Sequence, residues 1–456
     1  MVFCGVDIGT TSTKAVVLDR DGRVLDDAAL PAPGGNRNQV HWCDHFCRVM
    51  DHFASRGCMR DQEVVCSVTG QGGSFVLVDD QYQPVSPACC WTELADQTVV
   101  RDLVDTFGDA AYYRATGWPP HGWLAACKLK QMAQRGQLPQ GTRWVATVPD
   151  FIYAQLTGNI STDITSAQIT GLADFQGSQW SRDIAAWTGV REELLPPMVC
   201  RLGFVAEEVR TPWGRMTLAT GSHDQYAAME AAGLERDKSV MLGTGTAWVI
   251  NGRTDRPLFD ERQFLIHPGR DLHPECYGFI VTLWQIGAGF DRLLHRLGVT
   301  AAALGQIEDA LVALPMPDEP VRVDIDAGMV EPTGDAPLSV RRYMEWAGSV
   351  VAHALDRCGL VRGLGKIVVT GGAMQSRFWP QAIADICALT VEAVDYPHFT
   401  AYGAACHART ATLGLREPHR FPGAATVRVY TPEHVSSYRA WYRDFQQPML
   451  AREVQK

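Results

Sequence analysis

Residues 2–18 are VFCGVDIGTTSTKAVVL, and this stretch decides the fold. Two apolar runs flank a short polar turn that begins at Gly9, a pattern that predicts a β-hairpin. The turn offers backbone N–H groups and the hydroxyls of Thr10, Thr11 and Ser12, and such turns form anion-binding concavities. Asp7 ends the first strand with a carboxylate suited to the magnesium ion that accompanies a nucleotide. The stretch therefore predicts a phosphate-binding hairpin, the alternative being an ordinary hairpin with a polar turn.

A second stretch, residues 238–250, repeats this plan. Its sequence KSVMLGTGTAWVI again places two strand-like runs around a Gly-Thr turn. This weak internal repeat indicates two domains built on one plan, with a nucleotide held between them. We expect an N-terminal domain at residues 1–235 and a C-terminal domain at residues 236–456.

Length and composition indicate a large globular protein. The chain has 456 residues, 46% hydrophobic and 20% charged, enough for about two to three domains. A formal net charge of −10 argues against nucleic acid and anionic membrane surfaces as partners. No apolar segment reaches the length needed to span a bilayer, so we expect a cytoplasmic protein. The thirteen cysteines are scattered without a C-x-x-C pair, which favours reduced core thiols.

Two glycine-rich turns follow predicted strands. The strand at residues 63–69 leads into Gly70-Gln71-Gly72-Gly73, and the strand at residues 366–370 leads into Gly371-Gly372-Ala373-Met374-Gln375. Ligands of open α/β sheets lie at the carboxyl ends of strands, and paired glycines allow close backbone approach to a ligand. Both turns are therefore candidate binding segments.

Asp224 lies in the segment LATGSHDQYAA at residues 218–228, where a strand gives way to a polar turn and a helix. A carboxylate at a helix N-terminus can face the occupant of a cleft. Because Asp is also a common N-cap, the segment alone favours a cap and a catalyst equally. A different cluster, HWCDHFC at residues 41–47, has its apolar members at helical spacing, which favours a helix with a buried face over a metal site.

With these elements in place, the chain resembles the FGGY carbohydrate kinases of the actin-like, Hsp70-like and sugar-kinase superfamily. The motifs DIGTTSTKA, GSHDQYAA, GTGTAW and VVTGGAMQSRFW carry the resemblance in the family's order, over about residues 2–408. The likeness is to xylulokinases or related pentulose kinases. It implies an α/β fold of two actin-like (ribonuclease H-like) domains, with nucleotide and substrate in the cleft between them.

The resemblance also implies ATP and Mg²⁺ as cofactors and assigns their contacts. Asp7, together with Asp224, is expected to hold the metal, and Asp224 to act as the general base. Lys14 is expected either to neutralise phosphate or to face solvent. The expected ATP contacts are Thr10, Thr11 and Ser12 in the first phosphate turn, Gly243, Thr244, Gly245 and Thr246 in the second, and Gly371, Gly372, Ala373 and Gln375 around adenosine. Gly287 is expected near the same nucleotide.

The acceptor site departs from the family pattern. The resemblance implies acceptor contacts from Gln71, Gly72, Trp91, Glu93, Asp224 and Gln225. Glycines 72 and 73 stand where the family often has a His-Gly pair, and WTELA at residues 91–95 replaces the usual Trp-x-Asp-x-Arg. The region at residues 315–337 is also compressed, with only EPTG at residues 331–334 resembling the family's passage.

The leading hypothesis is ATP-dependent phosphorylation of a hydroxyl on a small sugar, such as a ketopentose or related ketose. The alternatives are a kinase of a polyol or non-sugar hydroxy compound, and a nucleotide-switched Hsp70- or actin-like binding module. The expected partner is a small-molecule sugar or polyol, and a homodimer is left open beside a monomer.

Overall fold

The computed structural model describes residues 1–32, 39–283, 285–332, 334–360, 363–415, 421–423 and 425–453. It divides into two compact units. Unit 1 comprises Met1–Gly233, Thr254–Phe279 and Pro397–Ala424, and unit 2 comprises Leu234–Arg253, Ile280–Tyr396 and Ala425–Lys456. The chain first passes from unit 1 to unit 2 after Gly233, close to the expected boundary. The later segments Thr254–Phe279 and Pro397–Ala424 belong to unit 1 again. The functional division at residues 235 and 236 stays a prediction.

Strands are numbered in chain order. They are β1 (Val2–Ile8), β2 (Ser12–Leu18), β3 (Val24–Pro31), β4 (Val64–Gly70), β5 (Phe75–Val78), β6 (Trp144–Thr147), β7 (Thr162–Asp163), β8 (Ala173–Asp174), β9 (Gln179–Trp180), β10 (Met198–Val199), β11 (Phe204–Thr211), β12 (Gly214–Ala219), β13 (Ser222–His223), β14 (Ser239–Thr244), β15 (Trp248–Thr254), β16 (Ile266–Arg270), β17 (Tyr277–Leu283), β18 (Arg322–Asp324), β19 (Met329–Glu331), β20 (Lys366–Gly371), β21 (Thr390–Asp395) and β22 (Thr426–Tyr430).

Helices are numbered in the same way. They are α1 (Gln39–Ser55), α2 (Gln97–Phe107), α3 (Asp109–Thr116), α4 (Ala125–Gln134), α5 (Val148–Thr157), α6 (Ile164–Gln168), α7 (Arg182–Thr188), α8 (Asp224–Ala231), α9 (Ile286–Leu297), α10 (Ala301–Ala313), α11 (Ala336–Arg357), α12 (Phe378–Cys387), α13 (Phe399–Leu413), α14 (Val435–Trp441) and α15 (Gln447–Glu453), with 3-10 turns at Glu192–Leu194 and Gly372–Gln375 and a π-helical turn at Tyr442–Gln446.

The central sheet of unit 1 has the strand order β11-β12-β4-β1-β2-β3. Its middle is the predicted hairpin, with β1 antiparallel to β2 and parallel to β4. Every residue of β1 and β4 is buried, as expected of strands covered on both faces. The carboxyl ends of these two parallel strands meet at one edge of the sheet, where the turns after Ile8 and Gly70 begin.

Unit 2 repeats this arrangement along the order β15-β14-β20-β21-β22. Strand β14 is antiparallel to β15 and parallel to β20, β20 is parallel to β21, and β21 is antiparallel to β22. The directions match those of β2, β1, β4, β12 and β11 in unit 1. The observed topology therefore agrees with the internal repeat that the two Gly-Thr hairpins indicate.

Helix α13 completes the core of unit 1 from a distant part of the chain. It packs on β1 and α8 so closely that a Cβ atom at Gly5 would lie within 3.0 Å of the Ala401 carbonyl oxygen. On the other side, α1 buries the predicted apolar face, including Trp42, Phe46 and Phe53. The helix predicted for the cluster at residues 41–47 is thus confirmed as part of α1.

Three elements were not predicted from the sequence. Residues 161–166 contain β7 and the start of the short helix α6, because Asp163 caps α6 by accepting N–H bonds from Thr165 and Ser166. The region at residues 315–337 contains the β18–β19 hairpin, and residue 333 lies outside the described residues. The third element is strand β22. None of the helices in the described part of the chain is both long and apolar enough to cross a membrane.

Candidate active site

The first Gly-Thr turn lies beside the turn that follows β4. The Gly9 N–H donates to the Ser12 carbonyl at 3.0 Å and closes the hairpin. The Gln71 N–H donates to the Ile8 carbonyl at 3.1 Å. These backbone bonds place Gln71 next to the candidate phosphate turn, as its position after a parallel strand predicts.

A chain of side-chain hydrogen bonds joins three of the predicted residues. The Thr10 hydroxyl donates to Gln71 Oε1 at 3.3 Å, and the indole Nε1–H of Trp91 donates to Thr10 Oγ1 at 3.1 Å. The Trp91 backbone N–H donates to the Ser74 hydroxyl at 3.0 Å, while 42% of the residue stays exposed. The candidate phosphate turn and two candidate acceptor residues therefore belong to one polar network.

Asp7 is a buried carboxylate in need of compensation. Only 9% of the residue is exposed, and Oδ1 has no hydrogen-bond partner among the described residues. Burial and the negative charge of Asp224 raise the pKa of Asp7 to about 7, and Lys14 opposes this shift. Two mutually repelling carboxylates, one with an orphaned oxygen, fit a divalent cation.

Magnesium in particular suits this donor set. The described residues contain no group of three or more His, Cys, Asp and Glu side chains arranged to hold a metal. Mg²⁺ is commonly bound through one or two carboxylates, with water and substrate phosphates completing its shell. Asp7 and Asp224 would hold such an ion once phosphates are present.

Asp224 is the first residue of α8, and its side chain is 29% exposed. Its Oδ1 lies 3.0 Å from Nε2 of His223, whose own side chain is buried. The His223 backbone N–H donates to Thr165 Oγ1 at 2.8 Å, and that hydroxyl donates to Asp163 Oδ1 at 2.5 Å. The short helix α6 thus anchors the segment that carries Asp224.

The two glycines after Gln71 make room for aromatic rings. A Cβ atom at Gly72 would lie within 3.0 Å of two ring atoms of His223. Gly73 has φ +77°, and a Cβ there would lie 3.4 Å from Trp91 Cβ and 3.5 Å from Trp123 Cε3. The sequence interpretation missed His223 and Trp123. The only signal for His223 was that it immediately precedes Asp224.

The other predicted residues of unit 1 lie around this network. Thr11 is exposed, whereas Ser12, Lys14 and Gln225 are half-buried. Lys14 faces Asp7 across the hairpin in the β1–β2 register. Glu93 is exposed, and its carboxylate lies 3.9 Å from the Cys89 sulfur, which donates to it.

In unit 2, Thr244 links the second Gly-Thr turn to the turn after β20. Its buried hydroxyl donates to the Thr370 carbonyl at 2.8 Å and accepts the Ala373 N–H at 3.0 Å. Gly371 has φ +99°, and a Cβ there would lie 2.8 Å from the Thr244 carbonyl oxygen. The structure thus brings together Thr244, Gly371 and Ala373 as predicted.

Helix α9 lies against the same turn. The Ala288 N–H donates to the Thr246 carbonyl at 3.1 Å, and a Cβ at Gly287 would lie within 3.0 Å of the Gly245 carbonyl oxygen. The predicted nucleotide residue Gly287 therefore joins the second turn. Gly245, Thr246, Gly371 and Gly372 are exposed, Gly243 is half-buried, and Gln375 donates to Asp395 at 3.4 Å.

Comparison with protein-family models gives two matches. Residues 2–229 match the N-terminal domain of the FGGY family of carbohydrate kinases, and residues 321–412 match the C-terminal domain of that family. The first match alone covers half of the chain.

Curated relatives include xylulose and glycerol kinases. The xylulose kinase of Streptomyces coelicolor is 27% identical over 442 residues, covering 90% of this chain and 88% of the relative. That of Streptomyces rubiginosus is 30% identical over 264 residues, covering 55% of this chain and 54% of the relative. Glycerol kinase 1 of Streptomyces avermitilis is 25% identical over 274 residues, covering 55% of this chain and 54% of the relative. The chain thus spans about half the length of some of the curated relatives it matches.

A solved structure shows the same fold. The xylulose kinase from Rhodospirillum rubrum aligns over 100% of both chains with a TM-score of 0.86 and 22% sequence identity. At this identity the similarity shows the architecture, which is the two-domain α/β fold expected from the sequence.

Proposed function

Because the chain belongs to the FGGY family of carbohydrate kinases, we propose that it transfers the γ-phosphoryl group of ATP to a hydroxyl of a small sugar, a ketopentose or related ketose. The observation that carries the proposal is the grouping around Asp224. Its part-exposed carboxylate contacts His223 and is close enough to Asp7 to raise the pKa of that residue. The same unit contains the hydrogen bonds that link Thr10 to Gln71 and to Trp91.

Asp224 would act as the general base. In phosphoryl transfer the protein mainly positions the acceptor hydroxyl and stabilises charge on the transferring group. Asp224 would orient that hydroxyl and accept its proton as the new O–P bond forms and the bond to ADP breaks. The backbone N–H groups of residues 10 and 11 and the hydroxyls of Thr10, Thr11 and Ser12 would bind phosphate oxygens.

Asp7 and Asp224 would hold Mg²⁺, as the orphaned Asp7 oxygen supports. When bound, the ion neutralises charge on the phosphates. In unit 2, Gly243, Thr244, Gly245 and Thr246 would bind phosphate, and Gly371, Gly372, Ala373 and Gln375 would bind adenosine. Gly287 would lie near the same nucleotide.

A polyol is the second candidate acceptor. Glycerol kinases are among the relatives, and the glycine at position 72 leaves the turn after β4 without the histidine side chain of the family's common His-Gly pair. Gln71, Gly72, Trp91, Glu93 and Gln225 are the proposed acceptor contacts in either case. The third hypothesis, a nucleotide-switched binding module, has no support from the family matches.

A screen of phosphoryl acceptors tests the proposal. ADP release would be followed by a coupled assay with ketoses, aldoses, polyols and sugar acids, with Mg²⁺ and ATP in excess. We expect the greatest kcat/KM with a ketopentose or related ketose. A greater value with a polyol would favour the second candidate, and ADP release that no acceptor increases would overturn the kinase proposal.

A further inference from the structure

We propose that His223 is a positioning residue for Asp224, and that position 72 is a glycine because the His223 imidazole occupies the space beside it. The inference rests on the proposed function, since it assigns His223 a part in orienting the proposed general base. It is carried by one hydrogen bond, one steric relation and one anchored backbone segment.

The steric relation concerns Gly72 and the His223 ring. A Cβ atom at residue 72 would lie within 3.0 Å of Cδ2 and Nε2 of His223, and 2.6 Å from Cδ1 of Ile169. Real Cβ atoms are not found this close to another heavy atom. His223 is only 5% exposed, so its ring is enclosed by the protein. Gly72 therefore allows the His223 ring to lie against the backbone of the turn after β4, at residues 70–73.

The hydrogen bond fixes one oxygen of the base. Nε2 of His223 lies 3.0 Å from Oδ1 of Asp224, a distance at which the ring N–H donates to the carboxylate oxygen. Nδ1 is buried without a hydrogen-bond partner among the described residues. The imidazole is then a single donor that holds Oδ1 and leaves Oδ2 to receive the acceptor proton.

The backbone of His223 is anchored independently of its ring. Its N–H donates to Thr165 Oγ1, and Thr165 is held in turn by the capping carboxylate Asp163. Strand β13 also pairs with β4, with His223 opposite Gly70. Loss of the imidazole should therefore leave the chain path intact while releasing the Asp224 carboxylate, which separates a positioning role from a structural one.

The kinetic test compares His223→Leu with His223→Gln, using the acceptor identified by the screen. Leucine keeps apolar bulk but has no donor, whereas glutamine can place an amide N–H near the position of Nε2. We expect His223→Leu to lower kcat by about 10- to 100-fold with little change in the KM for ATP. His223→Gln should recover a large part of that loss.

The steric relation is tested by a double-mutant cycle. Gly72→Ala alone should lower kcat by about tenfold because its methyl group displaces the ring, and it should cost much less in an enzyme that already carries His223→Ala. His45→Leu is the control for the loss of a buried imidazole from unit 1, because His45 is also buried but contacts Thr13, at 3.2 Å. Equal effects of Gly72→Ala in both backgrounds would overturn the steric part of the proposal.

An NMR measurement distinguishes failure of this inference from failure of the proposed function. In protein with ¹⁵N-labelled histidine, the His223 Nε2–H signal, assigned by its loss in His223→Gln, should move when Asp224 is replaced by Asn. An unmoved signal, or kcat in His223→Leu equal to that of the wild type, would overturn the positioning role. If the wild type phosphorylates no acceptor, the proposed function fails, and the signal alone decides whether the imidazole holds Asp224.

Discussion

The two Gly-Thr hairpins share a topology but differ in chemistry. In each unit a hairpin lies beside a parallel strand that ends in a glycine-containing turn. The turn of unit 1 is bordered by ionisable side chains, namely Asp7, Asp224 and His223. That of unit 2 is closed by the Thr244 hydroxyl and by backbone groups, with Gly371 in a left-handed conformation.

This difference indicates that the two hairpins have different roles within the same topology. A proton acceptor and a metal site need carboxylates, which are costly to bury and must be offset by a ligand. A nucleotide base and ribose need close backbone approach, which glycine allows. We therefore expect substitutions of the unit 1 carboxylates to act on turnover, and substitutions of the unit 2 glycines to act on nucleotide affinity.

The largest effect is expected for Asp224→Asn. Loss of the proposed base should lower acceptor-dependent ADP release by about 10³-fold or more, while ATP binding measured by calorimetry survives. Asp183→Asn is the matched control, since Asp183 also lies in the first turn of a helix and is exposed. Turnover retained in Asp224→Asn would remove Asp224 from the mechanism.

Asp7→Asn should lower activity and, without metal, raise the free energy of unfolding. Activity should fall by about 100-fold, yet the metal-free variant should be more stable than the wild type at pH 8 by about 1–4 kcal/mol. The Asp7 pKa is about 7 in the folded protein, above the ordinary value of 3.8, so the wild type loses stability as the pH rises from about 4 to about 7.

Thermal unfolding with a chelator at pH 5 and pH 8 would measure this difference. The advantage of the variant should grow with pH and shrink when Mg²⁺ is added, because the ion compensates the carboxylate in the wild type alone. Equal midpoints at pH 8 would show that the Asp7 carboxylate is not under strain from burial and from Asp224.

In unit 2, Gly371→Ala should weaken ATP binding by about tenfold with little change in the KM for the acceptor. The added methyl group meets the Thr244 carbonyl oxygen, and a φ of +99° is unfavourable for alanine. Gly305→Ala in α10 is the control, because a Cβ there has nothing within 4 Å and should slightly stabilise the helix. A defect in kcat alone would contradict the proposed division between the units.

The smallest effect is expected for Trp91→Phe. This change removes the Nε1–H bond to Thr10 but keeps most of the aromatic surface. One neutral hydrogen bond contributes about 0.5–1.5 kcal/mol, so the KM for the acceptor should rise by about two- to tenfold. Trp180→Phe, which removes a bond to the Pro196 carbonyl, should leave that KM unchanged. An unchanged KM in Trp91→Phe would remove Trp91 from the acceptor site.

Much of the fold could be predicted because its signals are local. Apolar runs around Gly-Thr turns specify both hairpins, and Asp224 is marked by its place at the start of a helix. The fit between Gly72 and His223 joins residues far apart in the chain, so no local pattern shows it. Helix α6 has only five residues, too few for a periodic signal, although Asp163 followed by Thr165 and Ser166 could have indicated its cap.

The close contact between α13 and β1 has a consequence for protein synthesis. Residues 399–413 leave the ribosome long after the hairpin they cover, yet Gly5 allows this helix to lie directly against the central strand. Until then, one face of a strand that is fully buried in the folded protein lacks its cover and can associate with other chains. A nascent chain that stops near residue 233 should therefore depend on chaperones to stay dispersed, despite carrying most of unit 1.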